Sequence, residues 1–273
     1  MKSLTFFIKK YIIKLYFKRA VFFPPFCLIG NGGFFMSDID NNELRAETKE
    51  QGRAAFFRRI DNNILEMIAH LSGLESMKIS QFDKKRTALV VIDVVNGFVR
   101  EGAMKSERIE EIVSPVLNTV EAFRNNSMKI VAFADCHSEN SSELKHFPKH
   151  CLADTSESEI IDEIKNAGGY ILINKNSVNG FFAPDFEKFM NENPDINTYV
   201  VCGDCTDICV MNFCLTLKAY YDQQNKPSEI IVPIDSVETY DDCATHNGDL
   251  MNIVALEMMN TAGIKIINSV EDN

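Results

Sequence analysis

Three kinds of side chain in this sequence stand where they can do chemistry together. Cys209 lies in Thr206-Asp-Ile-Cys209-Val, at the entry to a helix that follows an apolar run. Thr206 is the expected N-cap of that helix, which places the thiol in the first turn. The helix field there favours negative charge and hence thiolate. Asp93 and Asp135 each close an apolar run, and Lys175 follows a third. An acid beside the thiol can take its proton, and an ammonium beside it lowers its pKa. That is the logic of an activated covalent nucleophile. The alternative for a single cysteine is a buried, inert thiol.

A second group begins at Asp135: Asp135-Cys-His137, then Glu143, then His150. Side chains alternate along an extended segment, so Asp-x-His presents both groups on one side. Imidazole with carboxylate suits Zn, Fe(II) or Mn. The alternative is a loop of ordinary surface histidines, and His146 in the same loop shows how readily one occurs there. Cys202-x-x-Cys205-x-x-x-Cys209 also reads as a thiol metal site or redox pair. Against that, Cys202 falls inside a strand and no second CxxC exists. His70 reads as a helix-surface residue, and His246 as a capping or packing residue with no chemical role.

The elements that must position these groups alternate along the chain. Residues 41–77 carry apolar positions at helical spacing (Phe57, Ile60, Ile64, Ile68, Leu71), with Gly73 as a stop. Strands are expected at 87–93, 129–134, 170–173, 198–202, 229–232 and 264–267. Their unbroken apolar character suits burial on both faces, as in a parallel sheet. Helices are expected between them: a long one with a stripe from Ile109 to Phe123, broken near Ser114-Pro115, then 157–167, 185–191, 207–222 and 249–260. Such alternation predicts a three-layer α/β/α fold with a doubly wound, six-stranded, mostly parallel sheet and an N-terminal helical extension. Ligands of open α/β sheets bind beyond the carboxyl ends of the strands. Asp93, Asp135, Lys175 and the Cys209 turn all fall there.

With 273 residues there is enough chain for one large α/β domain. The net charge of −11 and pI of about 5.0 speak against a general nucleic-acid binder. Eight cysteines are too few for a disulfide scaffold of this length and fit a reducing compartment, the cytoplasm. Residues 1–36 hold six Lys/Arg and no acid. This segment is too broken by charge, proline and glycine to span a membrane. It reads as an upstream extension outside the mature fold, with translation starting at Met36; were it retained, a membrane-surface contact follows. The expected organisation is thus 1–36 extension, 37–84 helical segment and 85–273 catalytic domain. The apolar surface of the 41–77 helix predicts a homo-oligomer.

Taken together, the motifs resemble the isochorismatase-like cysteine hydrolases, and within them the nicotinamidases. The resemblance runs from about Thr87 to Val270. It rests on Asp93-Val-Val-Asn-Gly-Phe98, on Lys175 in Asn-Lys-Asn-Ser-Val-Asn-Gly-Phe-Phe, and on Thr206-Asp-Ile-Cys-Val210. The nicotinamidase metal pattern is matched by Asp135-Cys-His137, Glu143 and Phe147-Pro-Lys-His150. The resemblance implies that Asp135, His137, Glu143 and His150 hold a divalent metal, zinc first, with iron or manganese as alternatives. It implies that Phe98 and Phe147 line an aromatic slot for a flat ring, and that the metal orients a pyridine nitrogen. It further implies that Cys209 attacks a small amide, that Asp93 shuttles the proton, and that Lys175 lowers the thiol pKa. A cis peptide at Asp204–Cys205 would aim the Cys205 and Cys209 backbone N–H groups at the oxyanion. The implied activity is nicotinamide hydrolysis to nicotinate and ammonia, a step of NAD salvage. Val95, Gly97, Val178, Asp154 and Glu157 depart from the family pattern, which puts the substrate in question more than the reaction class. Two other readings stand beside it. One is hydrolysis of another amide, ureido or isochorismate-type compound; the other is a non-catalytic binding or thiol redox-sensing protein on the same fold.

Overall fold

Apolar runs without polar interruption leave neither face for water and become interior strands of a sheet; the run at 170–173 is an exception, lying at the sheet edge with Ile171 and Leu172 exposed. The computed structural model describes residues 41–242 and 245–272, so readings that fall on 1–36 lie outside the described residues. Strand β2 (Thr87–Ile92) is buried along its whole length. Strands β3 (Lys129–Asp135), β4 (Ile171–Lys175), β5 (Thr198–Asp204), β6 (Glu229–Pro233) and β8 (Lys265–Ile267) complete the six expected. A seventh, β7 (Val237–Glu238), pairs with the end of β5. The order is β4-β3-β2-β5-β6-β8, and every pairing is parallel. Two-residue strands, β7 here and the separate β1/β9 pair (Met77–Lys78 with Val270–Glu271), are too short to leave a period in sequence.

The order reverses between β2 and β5, which defines the topological switch point. Helices cover both faces. On one, α3 (Glu107–Glu111) and α4 (Val113–Asn125) pack Ile109, Val116, Val120 and Phe123 over Leu89, Val91, Ile130 and Val200. The break between these two helices falls at Ile112, just before Ser114-Pro115. On the other face, α6 (Pro184–Glu192) and α7 (Met211–Gln223) bring Phe186 and Phe213 to within 5.5 and 5.4 Å of the Phe133 ring centroid. Helix α8 is Gly248–Thr261, and the short α2 (Asn96–Val99) follows β2. The helix expected at 157–167 begins only at Asp162 (α5, Asp162–Ala167). Before it, Ser156–Ser158 make a single 3-10 turn and Ile160 forms an antiparallel bridge with Val95, which keeps the two from joining one helix.

Asn41–Ser72 (α1) forms a unit of its own, ending next to Gly73. Phe56, Phe57 and Ile60 are exposed on it. Among the described residues no helix is long and apolar enough to cross a membrane.

Gly203 shows how tightly the centre is built. Its φ is +116°, and a Cβ there would stand 1.9 Å from the Ile92 carbonyl oxygen. Gly203→Ala is therefore expected to cost more than about 3 kcal/mol. Urea unfolding of the two proteins measures it, and an unchanged midpoint would contradict the packing.

Candidate active site

Each strand that reaches the switch point ends in a polar group. Asp93 follows β2 with a φ of +56°, and Asp135 and Lys175 are the last residues of β3 and β4. Parallel register sets Asp135 beside Lys175. The Lys175 Nζ lies 2.8 Å from Asp93 Oδ2, 2.8 Å from Asp135 Oδ1 and 3.8 Å from Cys209 Sγ. All four residues are buried. The structure thus brings together the acid, the ammonium and the thiol that the sequence placed on one edge.

Cys209 sits in a single π-helical turn, Thr206–Val210, that leads into α7. The expected Thr206 cap is not formed. The turn is capped from Cys205, whose carbonyl accepts from Ile208 and Val210 N–H at 3.1 Å, while the buried Thr206 hydroxyl makes no hydrogen bond. The Asp204–Cys205 peptide is cis.

The electrostatics also differ from the expected thiolate. Burial pushes the Cys209 thiol well up, and the nearby Lys175 offsets only part of that. Lys175 does pull the thiol pKa down, as expected, but burial outweighs that pull and the resting sulfur favours S–H. Burial raises Asp93 to about 6, against the pull of Lys175. Burial also opposes charge on Asp135 and Lys175. Opposite charge wins: Lys175, with the two histidines, holds Asp135 well below the usual carboxylate range, and Asp93 first, then Asp135, hold Lys175 well above that of a free lysine.

Beside this group, Asp135, His137 and His150 form a buried set with ligand atoms within 4.8 Å of one another. Asp135 Oδ2 lies 2.9 Å from His137 Nε2 and 3.1 Å from His150 Nε2. The other ring nitrogens face acceptors: His137 Nδ1 meets Asn176 Oδ1 at 3.0 Å and His150 Nδ1 meets the Pro148 carbonyl at 2.7 Å. Those contacts suit a proton on each Nδ1, and in the neutral rings they turn the Nε2 lone pairs toward the Asp135 oxygen. Burial opposes charge on both imidazoles, yet Asp135 by itself pulls them toward the charged form. His137 Nε2 is buried and makes no hydrogen bond. Glu143 stands farther off, with Oε2 3.8 Å from His137 Nε2. Its Oε1 accepts from Val178 N–H at 2.7 Å, which ties the departure at Val178 to this loop. His146 is exposed and outside the cluster.

A cleft opens over both groups, lined among others by Phe98, Phe147, His150, Ile208 and Tyr240. The Phe98 and Phe147 rings flank His150 at 5.7 and 6.2 Å. Two departures are explained by one contact. A Cβ on Gly97 would stand 2.6 Å from Cys151 Sγ and 3.0 Å from the Glu157 carbonyl oxygen. Glu157 Oε2 accepts from Cys151 N–H at 3.0 Å, so a small residue at 97 makes room for the larger one at 157.

Sequence reasoning missed Asn176, Asp204 and Tyr240. Asp204 ends β5 as Asp135 ends β3, so the same signal was there to be read. It is fully buried with Oδ2 unpartnered, and burial pushes its carboxyl well up from the usual carboxylate range. Asn176 and Tyr240 leave no local signal. Cys202 is an interior strand residue with Sγ 3.7 Å from the Val90 carbonyl oxygen, and no three-thiol cluster forms among the described residues. His246 does not cap α8; Asn247 does, accepting from Leu250 N–H at 2.9 Å.

A parallel sheet with a cysteine turn at its switch point, strand-end acids and a lysine defines a cysteine hydrolase fold. The chain belongs to the isochorismatase family, whose domain model matches residues 87–267, and it is an amide-hydrolysing enzyme of that family. It is 27% identical over 214 residues to nicotinamidase 1 of Arabidopsis thaliana, covering 67% of this chain and 85% of the relative. N-carbamoylsarcosine amidase from Thermoplasma acidophilum superimposes with a TM-score of 0.55 at 26% identity, over 67% of this chain and 95% of that one. The pyrazinamidase of Pyrococcus horikoshii in complex with zinc shares the fold, with a TM-score of 0.54 at 24% identity over 67% and 98%.

Proposed function

We propose that this enzyme is a metal-dependent nicotinamidase, acting through a Cys209 thioester in the cytoplasm as a step of NAD salvage. The observation that carries the metal is the buried meeting of Asp135 Oδ2 with two imidazole nitrogens whose protons are held on the far side of each ring. With both rings neutral, three acceptors face one another there, an arrangement a divalent cation satisfies. Asp135, His137 and His150 would hold it, with Glu143 as the outer ligand; zinc is the first choice, iron or manganese the alternatives. When bound, such a cation supplies a Lewis-acidic point toward which a ring nitrogen can be oriented.

The remaining steps belong to the chain itself. Phe98 and Phe147 hold the flat ring beside His150. The carboxamide carbon meets Cys209 Sγ, whose proton passes to Asp93. Because the thiol is protonated at rest, this transfer accompanies attack rather than preceding it. Lys175 keeps its positive charge through the step and steadies the growing charge on sulfur. Backbone N–H groups of Cys205 and Cys209 receive the oxyanion. Asp93 returns its proton to the departing ammonia, then takes one from the water that cleaves the thioester. Nicotinate and free thiol result.

The test is ammonia release from nicotinamide. We expect turnover of about 1 per second or faster, lost on chelation and restored by zinc. Asp93 accepts a proton only when ionised, and its raised pKa of about 6 moves the acid limb to that value. Below it, kcat/KM should fall about tenfold per pH unit. Absence of turnover in zinc-loaded protein would remove nicotinamide. A second substrate class, a linear ureido amide, is supported by the small Val178 in the cleft and by the similarity to the Thermoplasma amidase. We also infer a homo-oligomer, from the exposed Phe56, Phe57 and Ile60 of α1; a monomeric mass by light scattering would end that reading.

A further inference from the structure

The cleft has an aromatic wall that the mechanism above leaves unused. Tyr240 lines it with Cys209, Phe98 and Phe147. Its ring lies flat on the His246 imidazole, with centroids 3.9 Å apart and planes within 8°. His246 is itself fixed at both ends: Nδ1 meets the Tyr240 carbonyl oxygen at 3.0 Å, and Nε2 meets Asp207 Oδ2 at 2.8 Å. Asp207 Oδ1 accepts from the Thr239 hydroxyl at 2.6 Å. Asp207 stands two residues before Cys209, inside the π-turn. The segment carrying Tyr240 is braced again from behind. Arg108 donates to the Thr239 carbonyl at 3.0 Å and pairs with Glu238 and Asp249, each at 2.9 Å. One aromatic face is therefore locked to the turn that carries the nucleophile, by bonds that serve no step of the reaction.

We infer that Tyr240 is a substrate-contacting residue that selects planar ring amides, and that His246 and Asp207 are positioning residues that hold its face to the cleft. A flat ring gains stacking against a fixed aromatic face, while a short aliphatic amide gains little there. Fixing Tyr240 in advance spares the entropy of ordering it when substrate arrives. This inference rests on the amide-hydrolase reading, but its test does not require turnover.

The test is calorimetric binding of benzamide to zinc-loaded full-length protein, with kinetics on benzamide and propionamide alongside. Tyr240→Leu is expected to weaken benzamide binding about tenfold, and Tyr240→Phe, which keeps the ring, to stay within about twofold. His246→Ala should raise KM for the ring amide about fivefold while kcat stays within about twofold, because the stack acts on binding. Propionamide constants should move less than the benzamide constants in each of the three. Unchanged benzamide binding in Tyr240→Leu would overturn the inference, as would a loss in Tyr240→Phe equal to that in Tyr240→Leu. No hydrolysis of nicotinamide, benzamide or propionamide by the wild type would instead overturn the amide reading of the site, leaving Tyr240 to be judged on the binding data.

Discussion

Cys209→Ala is expected to lower turnover by at least about 10⁴-fold while the protein stays folded. The size follows from the chemistry. Without sulfur no thioester forms, and the amide must be attacked by water directly, without the covalent step the site is arranged for. The stability cost is small, about 1 kcal/mol, since one buried sulfur is replaced by a void less than a methylene or two in size. Activity and Tm measured on the same preparation separate the two effects. Residual turnover above about 1% would mean that the thiol is not the nucleophile. Acid quenching of wild-type enzyme with substrate, followed by mass spectrometry, should show an acyl group on Cys209.

The second large effect is expected at Lys175. Its ammonium is the buried cation shared by Asp93 and Asp135, at 2.8 Å from each. Lys175→Met keeps the stem and removes the charge, leaving two carboxylates buried side by side. Breaking such a pair costs about 3–5 kcal/mol, on the order of 10 °C in Tm for a domain of this size. Turnover should fall roughly 10²–10³-fold, because the charge that steadies the sulfur is gone. Adding Asp93→Asn to Lys175→Met removes one of the stranded charges. The double variant should then recover part of the lost Tm without recovering activity. An unchanged Tm in Lys175→Met would show that the ammonium is not the shared partner described.

Much of this site was legible because charged residues closing apolar runs are rare and the sheet gathers them. Asp93, Asp135 and Lys175 could be placed on one edge from strand and helix alternation alone. The ligands after Asp135 were legible as a spacing, though spacing could not say that Glu143 would stand apart, held by the backbone of Val178. What could not be read is whatever depends on burial or distant contact. The sign of the Cys209 shift needed the depth of the cleft: the helix-end argument was sound, and desolvation outweighed it. Thr206 has the residue type of a cap, but the chain enters a π-turn there and Cys205 does the capping. The Asp207–His246 bond joins residues 39 apart, and nothing local to either announces it.

The register of β2 has a consequence for how the chain is made. Thr87 pairs with Thr198 on the strand that carries the nucleophile turn. Closing so long a loop is slow, and parallel strands cannot pair through a tight turn. On a ribosome adding about 5–20 residues per second, β2 would emerge roughly 6–20 s before its central partner. Through that interval one edge of a strand that is buried along its whole length in the folded protein stays open to mispairing. A chain halted before Asp204 would carry both acids and the ammonium and still lack the residue they serve.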